Sequence, residues 1–113
     1  HSKEEKDKPL DQAPSGITGI ETSLALGVTE LVEKGYLSMM QLLEKMTINP
    51  AKLYNMEQGR LQEGKPADVV LFDPEEEWEV KEYKSKATNS PFTGWKLKGK
   101  VKYTICDGKI IEL

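Results

Sequence analysis

The chain has 113 residues, 37% of them hydrophobic and 31% charged, with a formal net charge of −3. That length suits one small domain, and the acidic balance argues against nucleic acid, whose phosphates select a basic patch. A single cysteine, Cys106, excludes an internal disulfide framework and suits a reducing compartment such as the cytoplasm, and no apolar run is long enough to span a membrane.

Residues 1–16 read as a loop. Lysine and glutamate alternate in SKEEKDK, Pro9 and Pro14 break helices, and Gly16 permits unusual backbone angles. Disorder is the alternative for this segment, whereas an ordered loop of such length is commonly functional. Ile17, Ile20, Leu24, Val28 and Leu31 then recur at spacings of three and four, one face of a helix. Gly27 lies inside that helix, so a kink or break is expected there. Gly35 is placed to cap its C-terminus. In SMMQLLEKM, Ser38 and Gln41 form a capping box, and Met39, Leu42, Leu43 and Met46 form the apolar stripe. TINPAKLYNM restarts a helix, with Asn49 as N-cap and Pro50 at the first helical position.

After Gly59 the periodicity changes. A short strand is expected near Leu61 and a turn at residues 63–66. Residues 69–72 are continuously apolar, the pattern of a strand buried on both faces, and Asp73-Pro74 should end it. Trp78 and Val80 suggest another strand, and KSKATNSPFTGW a polar loop. In GKVKYTICDGKIIEL, Val101, Tyr103 and Ile105 alternate with Lys102, Thr104 and Cys106, and Asp107-Gly108 makes a type I′ hairpin turn. Helices followed by strands give an α+β class, or the junction of two layers of a bigger fold.

His1 is the only histidine and Cys106 the only cysteine. The three-ligand set of a hydrolytic zinc site is therefore not available, and a serine or cysteine triad lacks its base. The glutamates of PEEEWE read as solvated surface, and GRLQEGK lacks the spacing of a phosphate loop. APSGITG sets glycines before a helix start, where unsatisfied N–H groups could receive an anion; a plain helix entry is the alternative. No catalytic centre assembles from these residues.

Taken together, APSGITGIETSLAL, LLEKMTINPAKLYNM, GRLQEGKPADVVLFD and SPFTGWKLKGKVKYTICDGKII resemble the C-terminal quarter of class I dihydroorotases, zinc-dependent members of the amidohydrolase superfamily. The stretch from NPAK to ADVVLFD is shared by many amidohydrolases; APSGITGIET and SPFTGWKLKGKV are the more specific. The resemblance implies that residues 1–58 form the C-terminal end of a TIM barrel, its substrate loop and last helices. Residues 59–113 would belong to the small β-sandwich beside it. The implied reaction is the reversible hydrolysis of dihydroorotate to N-carbamoyl-L-aspartate in pyrimidine biosynthesis, in the cytoplasm, with zinc in the full-length enzyme.

His1 is similar to the final histidine of the family's Asp-His-Ala-Pro-His motif. With the backbone at Ser15 and Gly16 it would bind the substrate's carboxylate. The family usually has phenylalanine where Ser15 stands, which spares a backbone contact and alters the pocket's apolar wall. The motif's aspartate, the zinc histidines and the modified lysine would lie upstream. The resemblance thus implies a fragment that is inactive alone, with no catalytic residue and no metal ligand of its own. Open sheet edges would favour a homo-oligomer or a strand-swapped dimer. Two alternatives stand beside this reading. One is a related cyclic amidohydrolase, a dihydropyrimidinase or allantoinase; the other is a non-catalytic dihydroorotase-like assembly partner. For His1 the alternative is a residue left from cloning.

Overall fold

Helical segments fill the first half of the chain and strands the second, in a computed structural model that describes residues 1–113. The α+β class expected from the sequence is observed. The N-terminal segment is not loop throughout, because Ser2 and Glu5 make a capping box of their own. The Ser2 hydroxyl accepts from the Glu5 N–H, and the Glu5 carboxylate accepts from the Ser2 N–H at 2.7 Å. Helix α1 (Lys3–Lys6) follows from it.

The helix expected from Ile17 onward is divided in three. Ile20–Thr22 winds as a 3-10 turn, α2 (Ser23–Gly27) as an α-helix and Val28–Val32 as a π-helix. Thr22, Ala25 and Val28 form the buried side; of the stripe read from the sequence only Val28 lies on it, while Ile17 and Ile20 are exposed. The winding widens just after Gly27: the Glu33 N–H donates to the Val28 carbonyl at 2.9 Å. Gly27 also serves packing, since a Cβ there would lie 2.7 Å from Cδ1 of Leu42. Gly35 closes the segment with positive φ, as expected.

Helix α3 (Met39–Met46) starts at the Ser38–Gln41 box with both bonds formed, and it buries Leu42. Helix α4 (Ile48–Leu53) follows at once. Its N-cap position is Thr47, not Asn49, which lies within the helix. The Thr47 hydroxyl donates back to the Leu43 carbonyl at 2.6 Å, so its side chain finishes α3 and does not cap α4.

No strand forms near Leu61, which is exposed; the turn expected beyond it is present at residues 63–64. Strand β1 (Val69–Glu79) runs straight through Asp73-Pro74. Its pairing with β2 (Lys96–Cys106) breaks between Asp73 and Glu77, and at such a bulge a proline's missing N–H costs no ladder bond. Trp78 therefore belongs to the same strand, not a further one. Strand β3 (Lys109–Glu112) pairs antiparallel with β2, giving the order β1-β2-β3. The connecting Asp107 and Gly108 have φ of +50° and +79°, the expected type I′ turn. Val70 and Leu71 are about half exposed, so this apolar run is not buried on both faces within the chain.

The core is small. Ala25, Val80 and Leu97 form its centre, with Leu26, Trp78 and Tyr83 packed around them. The Trp78 indole N–H donates to the Gly99 carbonyl at 2.8 Å. Thr29 locks helix to sheet: its hydroxyl accepts from the Lys98 N–H at 2.9 Å and donates to the Lys98 carbonyl at 3.3 Å. The accessible surface is 8572 Å², where a compact monomer of this mass would expose about 6,200 Å². The radius of gyration is 16.1 Å, where about 13 Å is usual for this length. Large apolar side chains are part of that exposed surface. Leu71, Tyr103 and Ile110 share one uncovered sheet face, and Met40, Leu53, Tyr54 and Met56 are open along and after α3 and α4.

Candidate functional site

The site begins with a turn. The N–H groups of Gln12 and Ala13 both donate to the Pro9 carbonyl, at 2.8 and 2.9 Å, which folds the chain back toward α1. The Lys6 ammonium, in the last turn of α1, then meets residues 14–16. It donates to the Pro14 carbonyl and, at 2.9 Å, to the Gly16 carbonyl.

A second element reaches the same place from far along the chain. Asn89 lies in the connection between β1 and β2. Its side-chain amide donates to the Gly16 carbonyl at 2.9 Å, and its own carbonyl accepts from the Thr18 N–H at 3.2 Å. That connection is anchored at Glu21, beside the start of α2. The Glu21 carboxylate accepts from the Ser85 hydroxyl at 2.6 Å, the Ser85 N–H at 2.7 Å and the Lys84 N–H at 3.0 Å. The Ser85 hydroxyl foremost, then the Lys84 N–H, hold the Glu21 carboxyl below its ordinary pKa, because hydrogen bonds to the charged form favour it.

These contacts frame a concavity of about 490 Å³ lined by Lys6, Lys8, Leu10, Ala13 and residues 14–16. Two ammonium groups and no carboxylate stand in its lining. The N–H groups of Ser15 and Gly16 donate to no acceptor in the chain, while the carbonyls of Pro14 and Gly16 are occupied. Free N–H donors beside positive charge suit a small anion. These donors lie in the loop ahead of the 3-10 turn, not in a helix N-terminus as APSGITG suggested.

The structure thus brings Ser15 and Gly16 together at one cavity. It sets His1 apart from the lining, exposed, with Nδ1 3.5 Å from Oε2 of Glu5. Lys6 and Asn89 were not singled out from the sequence. A lysine in a charged run and an asparagine in a polar loop read as solvated surface, and only the folded chain shows what they bind.

No three histidine, cysteine, aspartate or glutamate side chains gather where they could hold a metal ion. His1 is exposed beside α1, and Cys106 is exposed at the end of β2. The residues of this chain do not fit a zinc centre.

A family model described as "Amidohydrolase family" matches residues 10–111. A dihydroorotase of Clostridioides difficile is 65% identical over 111 residues, 98% of this chain and 26% of the relative. A dihydroorotase of Lactococcus lactis subsp. lactis is 60% identical over 112 residues, again 98% of this chain and 26% of the relative. Among solved structures, the L-hydantoinase (dihydropyrimidinase) of Arthrobacter aurescens superposes with a TM-score of 0.82 at 34% identity, covering 91% of this chain and 24% of that one. A D-hydantoinase superposes with a TM-score of 0.83 at 30% identity, covering 98% and 25%. The chain spans about a quarter of the length of the relatives it matches.

Proposed function

This chain belongs to the amidohydrolase family, and on that premise we propose that it serves as part of a dihydroorotase, which reversibly hydrolyses dihydroorotate to N-carbamoyl-L-aspartate. The observation that carries the reading is an identity of 65% to a dihydroorotase across 98% of the chain, against 34% to the L-hydantoinase. In this reading residues 1–58 are the end of the barrel with its substrate loop, and residues 59–113 join the β-sandwich beside it. The uncovered sheet face and the large exposed surface support packing against further polypeptide, from the same enzyme or a second copy.

The substrate carries a carboxylate, and the cavity at residues 14–16 offers what a carboxylate needs. The free N–H groups of Ser15 and Gly16 donate to it, and the Lys8 ammonium in the lining favours its charge. His1 is the third group assigned to the carboxylate. It stands outside the lining, so its part rests on the resemblance of its motif. Zinc in this reading is held by residues other than those of this chain, whose own part is to bind and orient the substrate. The cytoplasm is the assigned compartment, supported by the single cysteine; no helix is long and apolar enough to cross a membrane.

A graft tests the proposal. This chain replaces the matching segment of the C. difficile dihydroorotase, and the purified chimera is assayed for ring opening of dihydroorotate and of dihydrouracil, which lacks the carboxylate. Preference for dihydroorotate is the expected result. A folded chimera that opens only dihydrouracil would move the reading to a dihydropyrimidinase. One that is folded and inert to both would leave a non-catalytic assembly role.

A further inference from the structure

We propose that Lys6 and Asn89 are positioning residues that hold the two peptide planes flanking the Ser15–Gly16 unit, and so the anion-binding conformation of residues 15–17, an inference that rests on residues 14–16 being the substrate loop. A trans peptide unit is planar, with its C=O and N–H on opposite sides. Fixing one residue's carbonyl therefore fixes the direction of the next residue's N–H. Lys6 holds the Pro14 carbonyl, and so sets the direction of the Ser15 N–H. Lys6 and Asn89 together hold the Gly16 carbonyl, each at 2.9 Å, and so set the peptide unit that follows. The Asn89 carbonyl takes the Thr18 N–H at 3.2 Å and pins the loop one residue further on.

The Ser15–Gly16 peptide is thereby flanked by two fixed planes. Gly16, at φ +101°, would otherwise have the widest choice of conformations in this segment. The carbonyl oxygens of Pro14 and Gly16, which would repel a carboxylate, are taken up by Lys6 and Asn89. The N–H groups of Ser15, Gly16 and Ile17 are left without an acceptor in the chain. One clamp residue comes from α1 and the other from the β1–β2 connection, so the loop's geometry depends on two elements that meet only in the folded state.

Two measurements test this, with Lys6→Met and Asn89→Leu as donor-less variants and Lys6→Arg as the conservative one, since a guanidinium can donate to both carbonyls. In the first, ¹⁵N relaxation of this chain reports order amide by amide. The variants Lys6→Met and Asn89→Leu should lose order at Ser15, Gly16 and Ile17 while Val80 and Leu97 stay unchanged, and Lys6→Arg should keep it. In the second, the same substitutions in the graft should raise KM for dihydroorotate about tenfold, the loss falling on KM and not kcat, as removal of ground-state binding does. The KM for dihydrouracil should move far less, and Lys6→Arg should restore binding. Unchanged order at residues 15–17 would overturn the proposal. So would a loss on kcat that is equal for both substrates and not rescued by arginine. An unsubstituted graft with no dihydroorotate activity would instead sink the functional reading, and the relaxation measurement would still decide whether the clamp exists.

Discussion

Gly99 sits in the middle of β2 at φ +97°, and a Cβ at that position would stand 3.3 Å from Cγ2 and 3.4 Å from Cβ of Val28. Alanine there meets two separate costs. The backbone conformation is disfavoured for an L-residue by about 1–2 kcal/mol. The new methyl group also presses on Val28, which is 1% exposed and, being β-branched, stiff at χ1, so it cannot swing aside. Overpacking of that kind costs about 1–3 kcal/mol. The unfolded chain loses freedom when glycine becomes alanine, which returns about 0.4–1 kcal/mol. The expected net loss from Gly99→Ala is about 2–4 kcal/mol. Urea unfolding followed by tryptophan fluorescence reads it directly, because the Trp78 indole is bonded to the Gly99 carbonyl. Gly108→Ala is the control: φ is +79° there, with no atom within 4 Å of the added Cβ, so only the conformational cost applies. Val28→Ala in the Gly99→Ala background should show favourable coupling, since it relieves the contact. If Gly99→Ala costs no more than Gly108→Ala, or if the cycle shows no coupling, the packing argument at the helix–sheet junction is wrong.

Three further outcomes are expected. Leu97→Ala removes the largest side chain of the three-residue core centre and should cost about 3 kcal/mol, read as a lower midpoint in chemical denaturation; a loss under about 1 kcal/mol would mean that the core is not where the structure puts it. Ser38→Ala deletes the acceptor of the Gln41 N–H and should cost about 1 kcal/mol, read as a lower denaturation midpoint; an unchanged midpoint would mean that the box does not hold the start of α3. Glu21 has a folded-state pKa below its ordinary value, so folding favours its ionised form. Its contribution is present above the unfolded value of about 4.3 and is lost as pH falls through the lower folded value. Thermal midpoints taken from about pH 7 down to about pH 3 should therefore fall more steeply for the parent than for Glu21→Gln, and parallel curves would contradict the assignment.

The features legible in the sequence share one property: their partners lie within a few positions. The Ser38–Gln41 box, the Gly35 cap and the Asp107-Gly108 turn were each readable from a handful of residues. The Ser2–Glu5 box has the same form and was hidden only by the charge run around it. Where the reading failed, a tertiary condition overrode a local rule. Asp73-Pro74 should stop a strand, but β1 pairs on one side only and a bulge absorbs the proline. Asn49-Pro50 looks like a helix start, but α3 ends at Thr47 and α4 takes up the chain immediately. The stripe from Ile17 looks like one helix face, but the segment winds as 3-10, α and π in turn, and only Val28 of that stripe is buried, beside Thr22 and Ala25.

The candidate site divides along the same line. The APSGITG stretch is legible as a candidate anion site from its glycines, and the resemblance to dihydroorotases, visible across most of the chain, is what points within it to Ser15 and Gly16. The counts of one histidine and one cysteine alone ruled out a three-ligand centre of those two residue types. Folding alone decided that Lys6 would hold the carbonyls of Pro14 and Gly16, and that Asn89, 73 positions away, would hold Gly16 as well. A bond within one turn of helix is determined by the spacing of its two residues. A bond between a helix end and a strand connection exists only once the Glu21 carboxylate and the small Ala25–Val80–Leu97 core have brought those elements together.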